Sequence, residues 1–250
     1  MLNFFSILSF LFYCSCGTHA GSNMNTNDSI RCIIVSQVFP LLDEDGKFTI
    51  YDTPSIAIYY YRELTAYKFA IRSDTLENGK LVNSAYHNRF FVYKKGNSFG
   101  YVYDSTVKPG TKVLTDSMFK NILWCEANNL YAGFSDNNIV LLSSYRNKDS
   151  GTLHEFYTYK RRSDSTMRGN FSLSFSDKIK GIDCSLSKEL DSIKNMKLYN
   201  VRMEGYIQYP KEGKIISVTL RSVNTLRETA ITNHAEVLSY FKRYIKDNGD

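Results

Sequence analysis

The stretch "VYKKGNSFGYVYD", residues Val92 to Asp104, decides how the chain folds. Within it Gly96-Asn97-Ser98-Phe99-Gly100 fits G-x-S-x-G, the pattern of a nucleophile elbow. An elbow needs a strand before the serine and a helix after it, because a strained turn must lift the hydroxyl above the sheet. "NRFFVYKK" supplies the strand. After the serine the chain runs on as "FGYVYDS", where Phe99, Tyr101 and Tyr103 alternate with Gly100 and Val102 at the period of another strand. Strand, turn, strand is a hairpin, and glycine and asparagine occupy its turn because they tolerate positive φ. Ser98 therefore reads as a turn residue. The alternative is a secreted serine hydrolase with Ser98 as nucleophile, since chain order permits an Asp and then His234 after it. His234, however, opens the last helical segment, where a polar residue is expected anyway.

The same alternation extends in both directions. "IRCIIVSQVFPLL" reads as a buried strand, "DEDG" (Asp43 to Gly46) as a turn and "KFTIYD" as the return strand. "SIAIYYYREL", "AYKFAIRSD", "NNIVLLSSYR", "LHEFYTYKRR" and "FSLSFS" are further strands, and "LENGK" and "KKGN" supply turns. "NLYAGFS" is expected to be a strand as well, after a short helix over "DSMFKNILWCEA". A second helix is expected over Ser185 to Met196. After it Tyr199, Val201 and Met203 alternate with Asn200, Arg202 and Glu204, and "KEG" turns the chain into "KIISVTLRS". The chain closes with an amphipathic helix. Asn233 and Glu236 have capping-box spacing, and Val237, Leu238, Phe241 and Ile245 form its apolar stripe. Strands joined by turns, without strand–helix alternation, give a mainly β (α+β) chain of antiparallel sheets, sandwich or half-barrel-like, with the C-terminal helix packed on the sheet.

Composition agrees with strands. The 250 residues include 19 Tyr and 16 Phe against one Trp and four Pro, and aromatic residues suit a pleated, half-buried surface. Hydrophobic content of 43% and charged content of 22% are globular values, so bulk disorder is excluded. Net charge is +6, but the cations are dispersed among acids and the densest cluster is "YKRRSD", so no nucleic-acid partner is implied.

The N-terminus gives an address. Phe4 to Tyr13 is an uncharged apolar run too short to span a bilayer, followed by small residues and a polar Asn/Ser-rich stretch, the anatomy of a cleaved signal. "SCG" at Ser15-Cys16-Gly17 resembles the end of the lipobox of bacterial envelope lipoproteins. By that resemblance residues 1–15 are a signal peptide and Cys16 becomes the acylated mature N-terminus. Residues 16–29 are then a polar tether and 30–250 a single β-rich domain, with a possible subdivision near 184 that leaves 185–250 as an αββα unit. Tyr13 in place of the usual Leu and the lack of Lys or Arg in the n-region depart from the pattern, and Cys14 is the alternative lipid site. The implied location is the bacterial outer membrane or periplasm, with the membrane engaged through the lipid.

Cys32, Cys125 and Cys184 then remain, so at most one disulfide can form among them, and the apolar contexts "RCIIV" and "LWCEA" suit buried cysteines. No C-x-x-C, H-x-x-x-H or H-E-x-x-H occurs. His154 and Glu155 are adjacent on an expected strand, so they face opposite ways. "DEDG" does not match a calcium loop, because Leu41 would fall at the first ligand position. With no P-loop or dinucleotide fingerprint either, no cofactor or metal is implied. "EGYIQYPKEGKIISVTLRSVNTLRETAI" (Glu204 to Ile231) resembles part of the C-terminal domain of TonB-type energy transducers, through Gly213-Lys214-Ile215, Val218, Leu220, Leu226 and Ala230. That resemblance implies two strands around the Gly-Lys turn and then a helix starting near Leu226. The function these features imply is a non-enzymatic binding or interaction module for a protein or apolar ligand. A carbohydrate-binding module is a further alternative, which needs a row of exposed aromatic rings.

Overall fold

The computed structural model describes residues 29–42, 48–52, 55–77, 80–104, 109–121, 139–159, 167–211 and 214–249. The strands are β1 (Arg31–Leu42), β2 (Phe48–Asp52), β3 (Ile56–Tyr61), β4 (Leu64–Glu77), β5 (Lys80–Lys94), β6 (Phe99–Tyr103), β7 (Thr111–Leu114), β8 (Ile139–Asn147), β9 (Thr152–Tyr159), β10 (Met167–Ser176), β11 (Lys197–Lys211) and β12 (Lys214–Thr229). The helices are α1 (Thr115–Asn121), α2 (Lys188–Lys194) and α3 (His234–Asn248). The registered strand pairs are antiparallel. The protein is thus mainly β, with its C-terminal helix packed on a sheet. "NLYAGFS" and the turn residues of "DEDG", "LENGK" and "KEG" lie wholly or partly outside the described residues.

The chain makes two compact units, with boundaries inside β1 at Val35/Ser36 and inside β12 at Arg227/Glu228. The first unit holds the start of β1, then β3 to β7, α1 and α3; its strand order is β7-β6-β5-β4-β3-β1. Its sheet is buried on both faces, which is why its strands read as near-continuous apolar runs such as "RCIIV" and "RFFVY". One row of cross-strand partners runs Cys32, Tyr59, Ala66, Val92, Tyr101. On this face α3 sets down Val237, Tyr240, Phe241 and Tyr244 among Tyr61, Leu64, Phe90 and Tyr103. Tyr240 stacks on Phe90 with centroids 3.9 Å apart, and Phe241 meets Tyr61 at 5.3 Å. The neighbouring row, Ile33, Ile58, Tyr67, Phe91, Val102, looks the other way. There Phe119 of α1 meets Tyr67, Phe91 and Tyr93 edge-on.

The second unit holds β8 to β11, most of β12, the end of β1 and α2, in the strand order β12-β11-β10-β9-β8. Its buried face carries Leu173, Val201 and Leu226, with Ile182, Cys184, Leu186 and Leu190 of the α2 region also buried. Arg202, Glu204 and Phe156 are exposed, so this sheet alternates as a half-buried one must. Ser187 caps α2 by accepting the Leu190 N–H at 3.3 Å, and Asn195 ends it at φ 50°. Of the elements in 185–250, α2, β11 and most of β12 lie in this unit and α3 in the first.

Several local expectations are corrected. Ile245 is 36% exposed, and Tyr240 and Tyr244 are buried in its stead. A helix position advances 100° per residue, so Val237, Tyr240, Phe241 and Tyr244 form an i, i+3, i+4, i+7 face. Asn233 is the N-cap of α3, but its amide reaches the Glu236 carboxylate at 3.2 Å rather than capping a backbone N–H. "SIAIYYYREL" is broken at Arg62-Glu63, a two-residue loop between the paired residues Tyr61 and Leu64. Arg62 there has φ 54°, a conformation for which sequence reasoning looks to Gly or Asn. The helix that the transducer resemblance implies near Leu226 is likewise replaced by strand, since β12 continues to Thr229.

Candidate functional site

The G-x-S-x-G stretch is the β5–β6 hairpin. Tyr93 pairs with Gly100 and Phe90 with Tyr103, and the Asn97 N–H donates to the Lys94 carbonyl at 3.0 Å to close the turn. Gly96 has φ 89° with open space around an added Cβ, so the backbone conformation alone selects glycine. Gly100 is selected by packing, because a Cβ there would lie 2.6 Å from Phe91 Cζ and 2.7 Å from the Val92 carbonyl oxygen. The loop is tied down from two sides. Thr115, at the start of α1, donates its N–H to the Ser98 carbonyl at 3.0 Å and its hydroxyl to the Asn97 carbonyl at 3.1 Å. The Asn97 side-chain amide donates to the Tyr244 hydroxyl of α3 at 3.3 Å. Ser98 is exposed in this turn and a strand comes after it; His234, the histidine that chain order would pair with it, is the first residue of α3.

The other histidines stand apart from it in the sequence. His87 is exposed on β5, and His154 on β9 lies 3.0 Å through Nδ1 from the Ser174 hydroxyl. Glu155, its neighbour, is buried on the opposite face. There it accepts from the Tyr157 hydroxyl at 2.6 Å and from Lys194 Nζ of α2 at 2.7 Å. Burial first, and then the Glu155 contact, hold the Tyr157 phenol above the ordinary tyrosine range. A second polar cluster closes the other end of α2. Asp191 accepts from the Ser185 hydroxyl at 2.6 Å, the Leu198 N–H at 2.6 Å and Lys197 Nζ at 2.8 Å. Lys197 also donates to the Cys184 carbonyl at 3.1 Å. Both clusters fasten a short helix to a sheet. Sequence reasoning missed the first because its Lys194 and Glu155 are 39 residues apart, and the second because its partners, 6, 7 and 13 residues apart, match neither helix nor strand spacing. Among the described residues no three His, Cys, Asp or Glu side chains gather as metal ligands.

Cys32 and Cys184 are buried, while Cys16 and Cys125 lie outside the described residues. No helix among the described residues is long and apolar enough to cross a membrane.

The surface feature that stands out is at one edge of the second unit. Val140, Leu141, Leu142 and Tyr145 on β8 are exposed, with Leu142 and Tyr145 at 61% and 62%, and Phe156 on β9 is exposed beside them. The register slips between Leu141 and Ser143, so Leu142 faces no residue of β9. Elsewhere the described tyrosine and phenylalanine rings are mostly buried; Tyr86 and Phe99 are the other exposed ones. Among the described residues, most of the aromatic rings are therefore core.

No family model matches the chain, and the search of curated proteins found no match. Among solved structures the chain is similar to the ywiB protein from Bacillus subtilis, at 9% identity and a TM-score of 0.20, over 82% of this chain and 95% of that one. It is also similar to an auxiliary nutrient binding protein from Bacteroides thetaiotaomicron VPI-5482, at 15% identity and a TM-score of 0.12. That likeness covers 82% of this chain and 47% of that one.

Proposed function

We propose that the chain is an exported binding module of the bacterial envelope, tethered by lipid on Cys16, whose partner face is the apolar β8–β9 edge. Export and tethering rest on the Phe4 to Tyr13 run, the Ser15-Cys16-Gly17 junction and the polar stretch after it. The single observation that carries binding is the gathering of Val140, Leu141, Leu142, Tyr145 and Phe156 at one exposed edge. Scattered exposed apolar residues are ordinary on any surface, whereas a contiguous group marks an interaction site. Apolar side chains without charge favour an apolar partner over an ionic one. The glycan reading would use Tyr145 and Phe156, which form a pair rather than a row. The hydrolase reading would use Ser98, whose turn is bonded to Thr115 and Tyr244 through main-chain and amide groups.

Photo-crosslinking in intact cells tests the assignment of the face. A benzophenone side chain at Tyr145 should give a discrete adduct, and the same group at exposed Lys242 on α3 should not. Equal yields at the two positions, or none at Tyr145, would remove β8 as the partner face.

A further inference from the structure

Resting on the reading of Cys16 as a lipid anchor, and not on the β8–β9 edge, we propose that one end of the first unit's sheet, around Phe99 and Leu114, lies against the bilayer that holds the lipid. Strand pairing defines that end. Arg31, at the entry to β1, pairs with Tyr60, and Tyr61 pairs with Leu64 across the Arg62-Glu63 loop. Leu64 pairs with Lys94, and Phe99, after the β5–β6 turn, pairs with Leu114. The Lys95 N–H joins the two turns by donating to the Glu63 carbonyl at 3.4 Å. The chain therefore enters the unit at the end of the sheet that carries both turns. Residues 16–29 are all that separates the anchor from Ile30, a reach of about 50 Å at full stretch. Such a tether keeps this end within that distance of the membrane, at a high effective concentration there.

The side chains at this end suit a lipid surface. Phe99 and Leu114 are exposed cross-strand partners, and Lys112 sets its Nζ 4.8 Å from the centre of the Phe99 ring. Ile245 is exposed too. It follows Phe241 by one helical turn, on the side of α3 that meets Tyr61, the last residue before the Arg62-Glu63 loop. Arg31 and Lys94 are matched by Glu228 at 2.9 Å and Glu63 at 2.8 Å. Beyond those pairs the exposed cations Arg62, Lys95 and Lys112 outnumber the exposed Asp116 among the described residues here. Apolar side chains set among lysine and arginine match the headgroup boundary of a bilayer. The stems lie along apolar surface, the charged heads stay in water, and anionic lipid adds attraction. The patch is also held in place, since Thr115 and Tyr244 bond the turn that precedes Phe99. Docking then orders little that is not ordered already.

Quenching of tryptophan by brominated lipid tests this on the full-length, acylated protein in vesicles of phosphatidylethanolamine and phosphatidylglycerol. Phe99→Trp keeps an aromatic ring in place and adds one fluorophore to Trp124, whose signal the wild type supplies for subtraction. Its added emission should be quenched several-fold more than that of Val82→Trp, exposed near the opposite end of β5. Placing Lys95→Glu and Lys112→Glu in the Phe99→Trp protein should cut the quenching several-fold, because both positions are exposed and only the attraction to anionic lipid is reversed. Phosphatidylcholine in place of phosphatidylglycerol should weaken it likewise. Flotation of each sample with the vesicles reads the anchor separately. Phe99→Trp protein that floats but is quenched no more than Val82→Trp overturns the docking and leaves the anchor standing. Protein that neither floats nor is quenched removes both.

Discussion

Gly96 and Arg62 hold equivalent tasks in two neighbouring hairpins, and only one of them was legible. Gly96 at φ 89° stands between lysine and asparagine, and its turn follows from residue type. Arg62 at φ 54° bends β3 into β4 without any such residue; its guanidinium lies 5.1 Å from the centre of the Tyr61 ring, and it is the cross-strand register of buried neighbours that sets the bend. Glu155 and Lys194 were illegible for a different reason, since their partnership depends on how α2 docks. The turn reading of Ser98 makes a two-part prediction. Ser98→Ala should leave stability unchanged and remove no esterase activity, while Gly96→Val should cost about 1–2 kcal/mol in denaturant unfolding, because a β-branched residue is strained at that φ. A fluorophosphonate probe should not label the protein. Labelling that vanishes in Ser98→Ala would show an activated nucleophile instead, since a solvated serine without a base does not react.

Elements were easier to read than their docking. The strand–turn–strand rhythm located most strands because period-two alternation and Gly/Asn turns are local signals. The C-terminal helix was equally plain, but its buried face was read one position off, since Tyr can lie either in a core or at its rim. The buried face is fixed by Tyr240 against Phe90 and Phe241 against Tyr61. Phe241→Ala should therefore cost about 3–5 kcal/mol in equilibrium unfolding. Lys242→Ala, exposed and one position round the helix, should stay within about 0.5 kcal/mol of wild type. Comparable losses at the two positions would mean that α3 does not bury the face described.

At the scale of the molecule, the tyrosine-rich core has a consequence in alkali. Burial holds the Tyr103, Tyr157, Tyr159 and Tyr240 phenols above the ordinary value of 10.0, with Asp247 adding to it at Tyr103 and Glu155 at Tyr157. The unfolded chain loses these protons near pH 10 while the folded chain keeps them, so stability falls as pH rises through and beyond that value. Tyrosinate absorbance should therefore rise in two stages, exposed rings first and the buried ones together with loss of circular dichroism. A single ionisation complete before unfolding would show that these rings are not buried. The division into two units, with β1 and β12 each crossing the boundary, was not legible, because it depends on pairings between strands far apart in sequence. The tether, by contrast, was read from sequence alone. Intact-mass analysis of the protein recovered from the membrane fraction tests it most directly. The expected species begins at Cys16 and carries several acyl chains, since one chain anchors only marginally. A chain recovered from the cytosol with Met1 in place would contradict export, tethering and the envelope role together.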